Sequence, residues 1–306
     1  MTMIFETVID GVPFRDSIFS LGSYRAASCG LLLDIRPETL EIALETLARH
    51  GTHGSLFNGL RVTGLENLEF LRDYPSLLYL ETENVSAKGL RCIETVSNLR
   101  GLRLESPKAG LDFSCFPQLE EFIGDWHRGN IGIGNCGELR RLHAFGFRST
   151  QPGVSSLAGC VRLERLSLVR PGITSLGGID ALEDLRYLDI AYAPKIEDLT
   201  PFAASKVDLR EIQLTNLKNI SNYAPLARIR MLRRLILSRC APMADLAWTK
   251  GMDYLDFFSF VETKVLNGDL SPLLALPLLR YAGAGNRRDY SHTDKELDAL
   301  INQAKN

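Results

Sequence analysis

Between Val161 and Leu237 the apolar residues fall in a spaced unit, apolar-x-x-apolar-x-apolar. Four copies follow one another: Leu163/Leu166/Leu168, Leu185/Leu188/Ile190, Leu209/Ile212/Leu214 and Leu232/Leu235/Leu237, beginning 22, 24 and 23 residues apart. Inside a copy the alternation has a period of two, the pattern of a strand with one buried face. Between copies the apolar residues recur every third position, as in Leu90, Ile93, Val96, Leu99 and in Ile173, Leu176, Ile179, Leu182, Leu185. A period of three fits a 3₁₀ or short helical return with one face turned inward. A fixed repeat of this length marks stacked copies of one supersecondary unit. The first apolar positions read Phe57, Leu77, Leu99, Leu119, Leu139, Leu163, Leu185, Leu209, Leu232, Met252 and Leu278.

Residues 1–55 do not follow this pattern. Met3 to Ile9 and Gly30 to Ile35 read as strands, and Pro37 opens a helix with Leu40, Leu44, Leu47 and Ala48 on one face, ending at Gly51. A stack of repeats exposes its last apolar layer unless a different unit covers it, so this segment is expected to be an N-terminal cap. At the other end, Thr293 and Glu296 form a capping box ahead of a stripe of Leu297, Leu300 and Ile301. The expected organisation is a cap over 1–55, repeats over 56–290 and a capping helix over 291–306, folded as one continuous domain. Two returns share a motif, Asp198-Leu199-Thr200-Pro201-Phe202 and Asp269-Leu270-Ser271-Pro272-Leu273. Thr200 and Ser271 are expected to cap short helices that the prolines begin.

The repeated unit resembles the leucine-rich repeat over residues 56 to 286, in the short form seen in bacterial internalin-like and phosphatase-regulator-like proteins. The stretch from Val265 to His292 is also similar to the ends of small bacterial proteins of that kind. The resemblance implies an α/β solenoid, curved, with a parallel sheet on the concave face and short 3₁₀ or helical returns on the convex face. One feature departs from the family. The slot that usually holds Asn or Cys carries Pro107, Phe147, Pro171, Ala193 and Leu217, and only Cys240 and Asn286 fit.

Composition narrows the function. Of 306 residues 45% are hydrophobic and 24% charged, with a net charge of −2, so the basic excess of a general nucleic-acid binder is absent. The opening MTMIFETVIDGVPF lacks the basic region of a signal peptide, and no apolar run approaches a membrane span. The six cysteines form no C-x-x-C pair and read as buried thiols of a cytoplasmic protein. Catalytic motifs are missing. Gly132-Ile-Gly-Asn-Cys-Gly137 fits G-x-G-x-x-G, but a repeat strand follows where the fingerprint needs a helix, so it reads as a return turn. His50 and His53 have no accompanying ligands, and Glu120 with Glu121 reads as a solvated face. No cofactor and no metal are expected.

The candidate site is therefore a surface. In x-L-x-L-x the leucines point inward and the intervening residues line the exposed face of the sheet. These include Glu81, Glu105 and Asp125 early, Arg141, His143 and Arg165 in the middle, then Tyr187, Asp189, Tyr192, Arg234 and Tyr254. An acidic first half facing a basic, tyrosine-rich second half would orient a partner, and Tyr and Arg are enriched at interface hot spots. The expected function is a non-catalytic scaffold binding another protein, one version being an immunity-type or regulatory inhibitor, with no nucleic-acid or membrane partner. The alternatives are an enzyme or enzyme subunit with a dispersed site, for which His143 and Ser167 are the conceivable pair, and a surface adhesin.

Overall fold

The computed structural model describes residues 6–9, 12–16, 31–50, 59–65, 67–83, 86–204 and 207–303. Expectations placed on Met3 to Phe5, Cys29, Gly30, Gly51, His53 and Phe57 lie outside these residues. The chain divides into two compact units, residues 1–144 and 145–306.

In the first unit an antiparallel pair, β1 (Glu6–Ile9) and β2 (Val12–Asp16), leads into β3 (Leu31–Ile35). β2 was not legible in the sequence, because Pro13 interrupts it. Pro37 starts a 3₁₀ turn that runs into α1 (Leu40–His50). The helix buries Ala43 and Leu47 and half-buries Leu40 and Leu44, while Ala48 is exposed. From β3 onward the strands are parallel and in sequence order: β4 (Gly59–Thr63), β5 (Tyr79–Glu83), then after α2 (Ala87–Ile93) β6 (Gly101–Glu105) and β7 (Glu121–Asp125). β8 (Arg141–Phe145) contains the boundary between the units.

The second unit repeats the same coil: β9 (Arg165–Val169), β10 (Tyr187–Ala191), the short helix α3 (Pro201–Ala204), β11 (Glu211–Thr215), β12 (Arg234–Ser238), β13 (Phe257–Ser259) and β14 (Tyr281–Gly283). All its strand pairs are parallel. α4 (Asp294–Gln303) closes the chain with Leu297 and Ile301 buried and Leu300 exposed. Its capping box forms, Thr293 N–H donating to Glu296 Oε2 at 2.8 Å and Glu296 N–H to Thr293 Oγ1 at 3.2 Å. The inward strand residues, such as Leu166, Leu168, Leu188, Ile190, Leu235 and Leu237, have no exposed surface. The returns add more, Ile173, Leu176, Ile179 and Leu182 between β9 and β10 for example, a layer that a lone coil could not bury by itself.

The register of the last two repeats differs from the sequence expectation. Arg234 pairs with Phe257, and Phe257 with Tyr281. The first apolar positions are therefore Leu255 and Leu279, not Met252 and Leu278. Leu278 is 49% exposed and Leu279 1%. A slip of one residue turns every strand side chain to the other face, and the run Leu-Pro-Leu-Leu (276–279) left that choice open to the pattern.

The backbone also explains how the coil does without its asparagine ladder. Buried carbonyls need donors. Backbone donors serve at two coils, Gly172 N–H to Phe147 O at 2.8 Å and Ala241 N–H to Leu217 O at 2.9 Å. Cys240 Sγ lies 3.2 Å from Leu214 O, and Thr263 Oγ1 donates to Leu237 O at 3.1 Å. The turn motif is also capped differently. Asp198 and Asp269 accept from the N–H of Thr200 and Ser271 at 2.8 and 2.9 Å, so the aspartates, not the hydroxyl residues, open the returns.

Candidate functional site

On the first unit's strand face the expected acidic surface is largely neutralised from within. Glu81 is only 3% exposed and lies 3.9 Å from Arg61 and 4.0 Å from Arg103. Arg61 also reaches Glu83 at 2.9 Å, and Arg103 pairs with Glu105. Arg141 binds the buried Glu121 at 2.9 Å. Burial raises the Glu121 carboxyl above its ordinary value, and the Arg141 guanidinium opposes that rise. A carboxylate taken out of water needs such partners. Arg61 and Arg103 sit on the same outward column as Glu81, so the pairing follows from the strand register.

Asp125 has a local structural task. Gly124 adopts φ +149°, where a β-carbon would run into the Leu104 carbonyl. Asp125 Oδ2 then accepts the Ser106 N–H at 2.8 Å. In other coils a backbone carbonyl does this, as Ala191 O does for Arg170 N–H and Thr215 O for Tyr192 N–H, both at 2.8 Å. His143 lies on β8, half-buried.

The second unit's face has a different character. Arg165 and Tyr187 are register partners, and the guanidinium lies over the tyrosine ring, 4.1 Å from its centre. Arg234 lies over Phe257 in the same way at 4.2 Å, and Phe257 stacks on Tyr281 with ring centres 4.6 Å apart. Arg234 also meets Glu211 at 3.6 Å. Burial and the nearby Asp189 and Glu211 push the Tyr187 phenol up to about 12. Asp189 Oδ2 accepts from Ser167 Oγ at 2.8 Å. Ser167 thus sits mid-strand and engaged with a carboxylate, without the strained turn or oxyanion donors of a nucleophile.

Tyr254 is not on this face. It belongs to the turn before β13, and there it helps line a groove with Ala203, Arg228 and Lys250. Phe257 takes its place on the strand, and Tyr281 follows in β14, as the corrected register requires. Sequence reasoning missed both aromatics because it counted from Met252 and Leu278. Tyr192 lies just past β10 and is 42% exposed. Among the described residues no group of His, Cys, Asp and Glu could hold a metal ion, and no helix is long and apolar enough to cross a membrane.

No protein-family model matches the sequence, and no curated protein matches it. Solved structures do. The complex of TLR13 with ssRNA13 has a chain that aligns with TM-score 0.54 and 18% identity over 73% of this chain. The plant peptide hormone receptor RGFR1 aligns with TM-score 0.52 and 17% identity over 75%. The chain has the leucine-rich-repeat fold. An internalin from Listeria monocytogenes is similar over 74% of this leucine-rich-repeat chain, at TM-score 0.45 and 17% identity. The chain spans 36%, 40% and 61% of the lengths of these three proteins respectively. At such identities the likeness concerns the fold alone.

Proposed function

We propose that this leucine-rich-repeat chain is a non-catalytic scaffold that binds another protein through the strand face of its second unit. The carrying observation is the set of prebuilt arginine–aromatic stacks, Arg165 on Tyr187 and Arg234 on Phe257. A guanidinium held over a ring keeps its planar fork of donors at little further entropic cost, and the ring supplies stiff apolar area beside it. Such pairs suit the desolvated centre of an interface, where few residues dominate the affinity. An inhibitor of a partner enzyme, in the manner of an immunity protein, would need only this surface and no chemistry of its own. The five described cysteines are free thiols, which supports a reducing, cytoplasmic setting.

The test begins with capture of the partner from the native host. Tyr187→Ala and Arg165→Ala are then each expected to weaken binding by about 1–4 kcal/mol. Lys195→Ala and Lys218→Ala, exposed residues in the turns that follow β10 and β11 and outside the strands, should be near neutral. If the lysine changes abolish binding and the strand-face pair leaves it intact, the arginine–aromatic stacks only cover the sheet.

A further inference from the structure

In most of the described coils the fifth residue after the start of the strand turns the chain out of the sheet with a positive φ; the coils of β7 and β14 place it earlier, at Gly124 and Gly285. Glycine fills this place at Gly64 and Gly146, with φ of 70° and 74°. Along the second unit the same place holds Arg170, Tyr192, Asn216, Arg239 and Glu262, with φ between 52° and 63°. A bulky side chain in the left-handed region is an outlier that a glycine would relieve. Retained strain of this kind points to side chains kept for something they do.

The charges along this ridge are uneven. Arg239 is paired with Glu262 at 2.7 Å. Arg170 has no carboxylate contact among the described residues, and its guanidinium lies 5.8 Å from the Tyr192 ring centre. Beside it stands a second arginine, Arg148. One of its nitrogens donates to the carbonyls of Gly146, Phe147 and Arg170, at 3.0, 3.2 and 3.4 Å. Gly172 packs beneath that side chain, where a β-carbon would collide with it. Arg148 is thus fixed next to Arg170, and it too contacts no carboxylate among the described residues. Phe145, three residues before Arg148, and Tyr192 are both 42% exposed and supply large apolar surface.

We propose that this ridge, Arg148, Arg170 and Tyr192 with Phe145 beside them, docks an acidic segment of a partner protein, its carboxylates meeting the two guanidiniums. Charge complementarity selects the occupant. Two adjacent arginines without counter-charge favour an anion, and the planar forks suit carboxylates. A nucleic-acid backbone would need a longer stripe of cations, whereas here the ridge continues into Asn216 and an already neutralised pair. The inference rests on the scaffold reading but uses the turn edge of the sheet, not its strand face.

The experiment uses the full chain and a fluorescein-labelled random copolymer of glutamate and tyrosine, followed by anisotropy. The wild type should bind it, more weakly as salt rises. Arg170→Gly and Tyr192→Gly should each bind at least fivefold more weakly while melting at the same or a higher temperature, because glycine relieves the backbone. Arg148→Ala should weaken binding similarly. The proposal is overturned if the wild type does not bind the copolymer, if both glycine variants bind like the wild type, or if labelled oligouridylate binds the ridge more tightly than the copolymer. With the captured partner, loss in Tyr187→Ala alone sinks the ridge and keeps the strand face, and loss in Arg170→Gly alone does the reverse.

Discussion

Leu188 and Leu279 carry the core argument at the scale of single residues. Leu188 is completely buried between Leu166 and Ile212 in the register of the second unit. Leu188→Ala is expected to cost about 2–5 kcal/mol in urea unfolding, from lost transfer energy and the cavity left behind. Leu279→Ala should destabilise in the same sense, while the exposed Leu278→Ala should change the midpoint little. The opposite order would restore the register read from sequence. Tyr187 gives a titration test. Its phenol is raised to about 12 in the folded chain, above the ordinary 10.0. The unfolded chain therefore loses the proton first. The contribution to stability is complete below pH 10 and falls as pH rises towards 12. Tyr187→Phe should reduce that alkaline loss in melting curves taken from pH 9 to 12.

The return is the element that the repeat pattern described least well. Asp198, Asn222, Asp245 and Asp269 each accept an N–H from the residue two places on, at 2.8 to 2.9 Å. This column has the period of the strands, and the sequence showed only its two members with matching neighbours, because Asn222-Tyr-Ala-Pro and Asp245-Leu-Ala-Trp differ in detail. The Thr200 hydroxyl and N–H hold the Asp198 carboxyl below its ordinary value, and Ser271 does the same for Asp269. A lowered carboxylate pKa stabilises above the unfolded value and is lost as pH falls through the folded one. Asp198→Asn should keep the turn, through the amide oxygen, yet lose part of the acid dependence of the melting temperature, and Asp198→Ala should lower that temperature at neutral pH. At the chain's end, α4 is tied on through Asp294 Oδ1, which accepts the Ala284 N–H at 2.9 Å, and through buried Leu297 and Ile301. Truncation after His292 should expose the apolar layer around Leu276 and Leu279 and cause aggregation or loss of the last coils. A truncated chain that stays monomeric with an unchanged melting curve would make the helix a loose tail.

At the scale of the whole molecule, both units use the same coil to different surface ends. In the first, alternating arginines and glutamates along the strands neutralise one another, and Glu81 is buried among them. In the second, arginines lie on aromatic rings. Paired surface charges contribute little each to binding, so the second unit is where the proposed affinity resides. Thiol chemistry tests the burial of the stack. Of the five described cysteines, Cys92, Cys136, Cys160 and Cys240 are buried and Cys115 is half-buried. Burial pushes the Cys160 thiol up to about 12. A small alkylating reagent at pH 8 should modify Cys115 well before those four, followed by mass spectrometry of peptides, and all five together only on unfolding. Early modification of Cys160 would mean that the stack opens there.

Apolar spacing alone determined the strand–return coil, because each leucine in x-L-x-L-x must leave water and only a strand puts alternate residues on one side. The polar pair Thr293 and Glu296 located the capping box of α4 in the same local way. Apolar spacing could not choose between Leu278 and Leu279, since four nearly continuous apolar residues satisfy either register. Strand pairing with Phe257 made that choice and moved Tyr281 onto the face in place of Arg280. Nor could a list of charges show which are neutralised. Arg61 and Arg103 meet Glu81 only because parallel strands bring residues twenty or more positions apart side by side, and Arg148 stands beside Arg170 for the same reason.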